Sequence, residues 1–327
     1  MGPEDLQHVL GFVELREDPS LLIGLESPDD AAVYRLGDDQ AIVASLDFFT
    51  PIVDEPEDFG AIAAANALSD LYAMRARPLF ALNVLAVQLD RLGVEVVGAI
   101  LRGAADSCAA AGISVAGGHS IDDPEPKFGM VALGLVDPEL AWRKSGARPG
   151  DAILLGKALG TGVISTGLKQ GVASDEDVAE AVRSMRQLNR EAAEILSGHA
   201  VRAATDVTGY GLLGHLAEVC RASAVAARIY STAPALLPGA LKLAGEGVRP
   251  GGTDRNRRSV EECVTWGAGV EESLRVLLSD AQTSGGLLAF LSPEEADVAA
   301  DSLGAAGYAA SLVGVIEAGE PHIYVEE

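Results

Sequence analysis

Cysteine is nearly absent from this chain of 327 residues: Cys108, Cys220 and Cys263 are an odd number, far apart, with no C-x-x-C pair. That spacing argues against a disulfide framework and against a zinc site. Cys108 and Cys220 lie in helical, apolar contexts and are expected to be inert core thiols. Long hydrophobic runs are missing too, and none reaches the ~18 residues needed to cross a bilayer. The opening Met1-Gly2-Pro3-Glu4-Asp5 has neither a basic nor an apolar region, so it is no signal peptide and a cytoplasmic location is expected. Positive charge is scarce, with 24 Lys and Arg against 48 Asp and Glu and a formal charge of −24. Such a surface repels nucleic acid and anionic lipid, so neither is expected as a partner. It repels ATP as well, so a nucleotide site here needs cations or oriented backbone N–H groups.

What remains is a globular composition, 48% hydrophobic and 22% charged, with a length that suits two packed domains. Strand-like runs occupy 31–36 and 41–46, with Asp38-Asp39 as the turn between them. An Ala-rich helix is predicted from Asp58 to Met74, ended by Pro78. A buried strand over 79–87, a helix over 94–111 closed by Gly112, and a strand over 128–136 follow. The Pro- and Gly-bearing stretch 137–150 is the predicted domain boundary. Beyond it the pattern predicts strands at 152–155, 286–291 and 310–315, and helices at 162–170, 175–196 and 293–303. A Gly-rich loop runs into a further helix between Gly209 and Cys220. The fold class expected is α+β, two halves of mixed strands and helices without strict βαβ alternation.

Acidic residues at turns and element ends are the first candidates for chemistry. Asp29 and Asp30 precede the first strand, Asp47 ends the second, and Asn66 and Asp70 share one helix face. An Asp among Ala, Leu and Met in a helix interior is costly unless partnered, and a cation such as Mg²⁺ would supply the partner. The alternative is that Asp29 caps a turn, Asp47 ends a strand and Asp70 pairs with an Arg such as Arg75.

A second block, Ala116-Gly117-Gly118-His119-Ser120-Ile121-Asp122, reads as a loop whose N–H groups face a phosphate or ribose. A lone His beside glycines is more often a hydrogen-bonding loop residue than an acid or base. In the third block, Thr205 to His215, Gly209, Gly211 and Gly214 match G-x-G-x-x-G, yet no acidic residue stands about twenty positions on and NAD binding is rejected. It reads instead as a helix N-terminus with Asp206 beside it, suited to a phosphate bridged by a cation. A Walker A loop, a G-x-S-x-G elbow and H-E-x-x-H are all missing.

Taken in order, these blocks resemble selenophosphate synthetase. The resemblance is carried by Pro28-Asp29-Asp30, Asp47-Phe48-Phe49-Thr50-Pro51-Ile52-Val53, Asn66 to Met74, Gly117-Gly118-His119-Ser120-Ile121-Asp122, Thr205 to His215, Pro250-Gly251-Gly252-Thr253 and Gln282-Thr283-Ser284-Gly285-Gly286. It implies the two-domain fold of aminoimidazole ribonucleotide synthetase, with each domain a mixed sheet packed with helices. Residues 1–140 would bind ATP and dimerise, and 150–327 would complete the site. It implies a homodimer and the conversion of ATP, selenide and water into selenophosphate, AMP and phosphate. Asp30, Asp70 and Asp206 would hold Mg²⁺. Ser27, Pro28, Asp29, Asp47, Asp70, Gly118, His119 and Ser120 would line the nucleotide site. The departure lies at the start. Members carry a Cys or selenocysteine and a Lys three residues later, just before the segment here written Gly2-Pro3-Glu4. No Cys precedes Cys108 and no Lys precedes Lys127, so these 327 residues are expected to lack the catalytic pair and to turn over poorly. Rival readings are a hydrogenase-maturation carbamoyl dehydratase, a thiamine-phosphate kinase, and a non-catalytic nucleotide-sensing or scaffold subunit. The Asp-Phe-Phe-Thr-Pro and Gly-Gly-His-Ser blocks weigh against the two enzymes, and the acidic cluster against the scaffold.

Overall fold

The computed structural model describes residues 8–13, 16–26 and 29–327. Two mixed sheets form the frame. The first has the order β1 (Leu21–Ile23), β2 (Ala32–Arg35), β3 (Ala41–Phe49), β6 (Lys127–Val136), β4 (Arg77–Ala86), β5 (Ser114–Ile121), with only β4 and β5 parallel. The second runs β10 (Val264–Trp266), β13 (His322–Glu326), β9 (Ala226–Tyr230), β12 (Ser311–Glu317), β7 (Ala152–Leu155), β11 (Leu287–Leu291), β8 (Ala203–Asp206). The stretch 137–150 runs between the two sheets, from the end of β6 toward β7. Among the described residues no helix is long and apolar enough to cross a membrane.

Helix α1 (Pro56–Ala73) is the axle of the molecule. Alanine favours a helix, Pro56 is tolerated in the first turn, and Glu57 and Asp58 suit the positive end of the dipole. From Phe59 through Ala73 every residue is buried, the signature of a helix covered on all sides. One side lies on the first sheet, another on α2 (Val94–Ala110), and the rest on β8, α4 (Asp175–Arg186) and α5 (Arg190–Leu196) of the second half. A single apolar cluster therefore runs through both halves, from Val43 and Phe59 to Leu154 and Leu291. The helix stops where Arg75 turns to φ 58° and the Ala76 N–H reaches back to the Leu71 carbonyl at 2.8 Å. A non-glycine residue resists that conformation. Its guanidinium is held over Trp142, 5.8 Å from the ring centre, and donates to the Ser197 carbonyl at 3.3 Å.

α1 and α2 touch backbone to backbone at two glycines. A Cβ on Gly60 would stand 1.8 Å from the Ile100 carbonyl oxygen, and one on Gly103 1.9 Å from that of Glu57. Gly60→Ala is expected to force the helices apart and lower stability by about 2–3 kcal/mol, read as a lower urea midpoint. An unchanged midpoint would show that the helices separate freely.

Two sequence expectations need correction. The strand foreseen at 79–87 is not buried on both faces: β4 has one face against the helices, while Leu79 on the other is 36% exposed. The helix foreseen over 175–196 is two helices, α4 and α5, broken at Gln187–Asn189. Tertiary bonds make that break worthwhile. The Gln187 carbonyl accepts from Lys157 Nζ at 2.6 Å, and Asn189 Nδ2 reaches both Ser69 Oγ (2.9 Å) and the Gly285 carbonyl (2.7 Å).

Along β3, Asp47 faces α1 with Val43, while Leu46 and Phe48 point away and are half exposed. β11 shows the opposite pattern. Leu288 and Phe290 enter one core, Leu287, Ala289 and Leu291 the other, so its run is apolar throughout.

Candidate active site

Four carboxylates from separate parts of the chain meet where the two halves join, three of them buried and Asp47 half-buried. Asp47 comes from the inner face of β3, Asp70 from α1, Asp206 from the end of β8, and Asp30 from the turn before β2. Asn66 and Asp70, one helical turn apart, both point at β3. Asn66 Nδ2 donates to Asp47 Oδ2 at 2.9 Å, and Ser45 Oγ donates to Asp70 Oδ2. Asp206 Oδ2 accepts from Ser69 Oγ at 2.5 Å, and Asp30 Oδ1 accepts from Thr205 Oγ1 at 2.7 Å. Asp29 Oδ1 accepts the backbone N–H of Lys144 at 2.7 Å.

Burial is the main force on these groups, and mutual repulsion adds to it. Asp47 is pushed up to about 6. Asp206 is pushed up to about 7 by burial and then by the charge on Asp30. Asp70 is held well above the carboxylate range by burial, then by Asp206, Asp47 and Asp30. Burial raises Asp30 too, against the attraction of Lys144. Asp30 Oδ2 is buried and has no hydrogen-bond partner. An unpartnered oxygen beside three other reluctant carboxylates is what a hard cation relieves. Among the described residues, however, no three Asp, Glu, His or Cys side chains converge as a ready metal cage. Each carboxylate is instead turned toward its own hydroxyl, amide or ammonium donor.

Sequence reasoning missed the cations. Lys144 sits in the stretch read only as a domain boundary. Its Nζ lies 2.9 Å from Asp30 Oδ1 and 2.8 Å from Glu218 Oε2 on α6 (Gly211–Ser223). Burial pulls this ammonium down, but Asp30 and Glu218 outweigh it and its pKa is raised. Lys157, just after β7, is also buried, and its Nζ is held by the carbonyls of Gln187 and Ser284 (2.9 Å). Burial lowers Lys157 to about 7, opposed by the charge on Asp206. Ser284, itself at φ 49°, donates its N–H to Asn66 Oδ1 at 2.7 Å. The Gln282-Thr283-Ser284-Gly285-Gly286 block thus braces Asn66 against Asp47. Lys157 also lines a cavity of about 1080 Å³ between Val53–Asp58 and α4, whose walls include none of the four carboxylates.

The Gly-Gly block is not the loop foreseen. Gly117 to Ser120 belong to β5, the edge strand. Register aligns Asp47, Met130, Asn83 and Gly118 across the inner face of the sheet. Three strand spacings, roughly 14 Å, therefore separate Gly118 from Asp47. Glycine is required there: a Cβ on Gly118 (φ 154°) would stand 2.2 Å from the Asn83 carbonyl oxygen. His119 pairs with Val84 and lies on the opposite, exposed face. Ser120 shares the inner face with Gly118. Ser27 and Pro28 lie outside the described residues. Cys108 and Cys220 are buried core thiols, and burial lifts them to about 11 and about 12.

Comparison with known proteins shows the lineage. Residues 28–136 match the AIR synthase related protein N-terminal domain, and 148–326 match its C-terminal domain. The selenide, water dikinase of Myxococcus xanthus is 47% identical over 323 residues, 98% of this chain and 92% of that protein. The chain belongs to the selenide, water dikinase family. That of Carboxydothermus hydrogenoformans is 43% identical over 326 residues, covering 100% of this chain and 94% of its own. Solved structures extend the likeness in fold beyond the dikinases. A thiamine-monophosphate kinase from Stenotrophomonas maltophilia superposes with a TM-score of 0.69 at 20% identity, covering 94% of this chain and 92% of that one. The hydrogenase maturation protein HypE of E. coli gives 0.66 at 17% identity, covering 98% and 93%. The fold is thus shared with solved structures at 17–20% identity, while the dikinases match this chain at 43–47%.

Proposed function

We propose that this dikinase forms selenophosphate, AMP and phosphate from ATP, selenide and water at the carboxylate cluster between its two halves. The observation that carries the reading is the cluster itself: Asp30, Asp70 and Asp206, from three distant segments, are buried together with more negative charge than Lys144 offsets. A structural core gains nothing from such repulsion, whereas a site for cation-bound polyphosphate depends on it. Asp30, Asp70 and Asp206 are the proposed Mg²⁺ holders, and bound Mg²⁺ would offset the charge spreading over the transferring phosphoryl oxygens. Ser45, Ser69 and Thr205 orient those carboxylates. Ser27, Pro28, Asp29, Asp47, Asp70, Gly118, His119 and Ser120 are the proposed nucleotide contacts; of the last three, Gly118 and Ser120 lie on the inner face of the sheet and His119 on its outer face.

A homodimer belongs to the same proposal. The outer face of the first sheet exposes Tyr34, Leu46, Phe48 and Ile121, an apolar surface suited to a second copy of itself. The first half, 1–140, would then bind nucleotide and dimerise, and 150–327 would complete the site with Asp206.

The test is ³¹P NMR of ATP with and without selenide, on the 327-residue chain and on the chain with any residues encoded upstream of Met1. Selenophosphate with AMP, formed only with selenide, is expected from a protein that carries the Cys and Lys of the resemblance. Nucleotide binding without selenophosphate from either protein would favour a non-catalytic subunit.

A further inference from the structure

We infer that Lys144 is a resident counter-ion of the acidic site: it holds Asp30 while no divalent cation is bound and moves onto Glu218 when one takes Asp30. The inference rests on the reading of Asp30 as a metal ligand, and it adds a residue that sets how tightly the metal is held.

The geometry is that of a fork. Lys144 Nζ contacts Asp30 and Glu218 at nearly equal distance, 2.9 and 2.8 Å, with only 5% of its side chain exposed. Its backbone is pinned on both sides. The Lys144 N–H donates to Asp29, its carbonyl accepts from Ser223 Oγ at 3.1 Å, and that same oxygen takes the N–H groups of Gly146 and Ala147 at 3.1 Å. Only the end of the side chain is left to move, and the two carboxylates lie within its reach.

Glu218 is prepared to keep the ammonium. His215, one helical turn before it, accepts the Thr208 N–H at Nε2 (3.2 Å), so in the neutral ring the proton is on Nδ1. Nδ1 lies 3.8 Å from Glu218 Oε2 and has no other partner. Burial, helped by the charge on Lys144, keeps His215 neutral. Glu218 therefore has a second donor at hand. Asp30 has the converse property, an unpartnered buried oxygen, Oδ2, beside the one Lys144 holds. An ammonium and a divalent cation repel each other across a single carboxylate, so the metal's affinity depends on how far Lys144 withdraws.

The opposing signs of two substitutions test this. Mn²⁺ binding without nucleotide, followed by electron paramagnetic resonance, is compared in the native chain, Lys144→Met, Glu218→Gln and Asp30→Asn. Lys144→Met should bind Mn²⁺ about tenfold tighter or more, since a repelling charge is removed. Glu218→Gln should bind it several-fold weaker, since Lys144 then has only Asp30 to pair with. A purely structural Lys144 would weaken binding in both variants, and that result would overturn the inference. Should Lys144→Met fail to fold, Lys144→Gln takes its place, with tighter binding again expected and unchanged or weaker binding refuting the inference. If Asp30→Asn leaves Mn²⁺ binding untouched, the metal reading of Asp30 fails first. If Asp30→Asn weakens binding but Lys144→Met does not tighten it, the counter-ion role alone falls.

Discussion

Asp70→Asn is expected to lower selenophosphate formation by about a thousandfold or more, the loss of several kcal/mol of transition-state stabilisation that follows removal of a metal-holding carboxylate. In the metal-free protein the same substitution is expected to raise stability. Asp70 is buried in the last turn of α1 and is repelled by Asp206, Asp47 and Asp30, while a single serine hydroxyl, that of Ser45, offsets the charge. An amide of the same shape keeps the hydrogen bond to Ser45, removes one charge from the cluster and leaves the packing around Phe59 and Leu71 as it was. Activity and stability thus move in opposite directions, which a packing defect cannot produce. The two measurements are product formation by ³¹P NMR and the urea midpoint in EDTA. A variant that is both inactive and less stable would show Asp70 to be a structural residue, and one that stays active would remove it from the site.

Much of this arrangement was legible because it is periodic. The i, i+4 spacing of Asn66 and Asp70 put both on one helical face, and both do meet β3. The strand-like run over 41–46 put Asp47 at its end, and the strand in fact continues to Phe49 with Asp47 within it. What stayed hidden depends on distance along the chain. Lys144 meets Glu218 across 74 residues and its N–H meets Asp29 across 115, and no local pattern records either contact. The break between α4 and α5 was invisible for the same reason, because Asn189 gains its partners from α1 and from Gly285. Gly117-Gly118 was misread for a different one. Glycine pairs suggest a turn, yet here they allow an edge strand to run against the Asn83 backbone, a need visible only once β4 and β5 are paired.

The same cluster predicts an unusual dependence of stability on pH. Below about pH 4 its carboxyls are protonated in both the folded and the unfolded chain. Between there and pH 7 the unfolded chain ionises while the folded chain retains protons, since Asp47 is raised to about 6 and Asp206 to about 7. Each such group costs folding up to about 1.4 kcal/mol per pH unit across its own window, so the metal-free protein should weaken as pH rises toward 7. Asp280 is raised to about 7 by burial and adds to this trend, although it caps α3 (Thr161–Gln170) through the N–H groups of Gly162 and Val163 and takes no part in the cluster. Lys157 acts with the opposite sign. Its folded value near 7 disfavours folding at low pH, and that cost fades only from pH 7 upward. Lys144, raised throughout this range, does not change. Added Mg²⁺ removes only the part due to the cluster, and removes more of it as pH rises. Urea unfolding at pH 5 and pH 8, each in EDTA and in Mg²⁺, should therefore show a Mg²⁺ gain of about 2–4 kcal/mol at pH 8 and little at pH 5. An equal gain at both values would mean that the metal binds away from Asp47, Asp70 and Asp206. No gain at either, with a gain restored at pH 8 by a non-hydrolysable ATP analogue, would mean that the cation binds only together with nucleotide, and no gain even then would remove the cluster as a metal site.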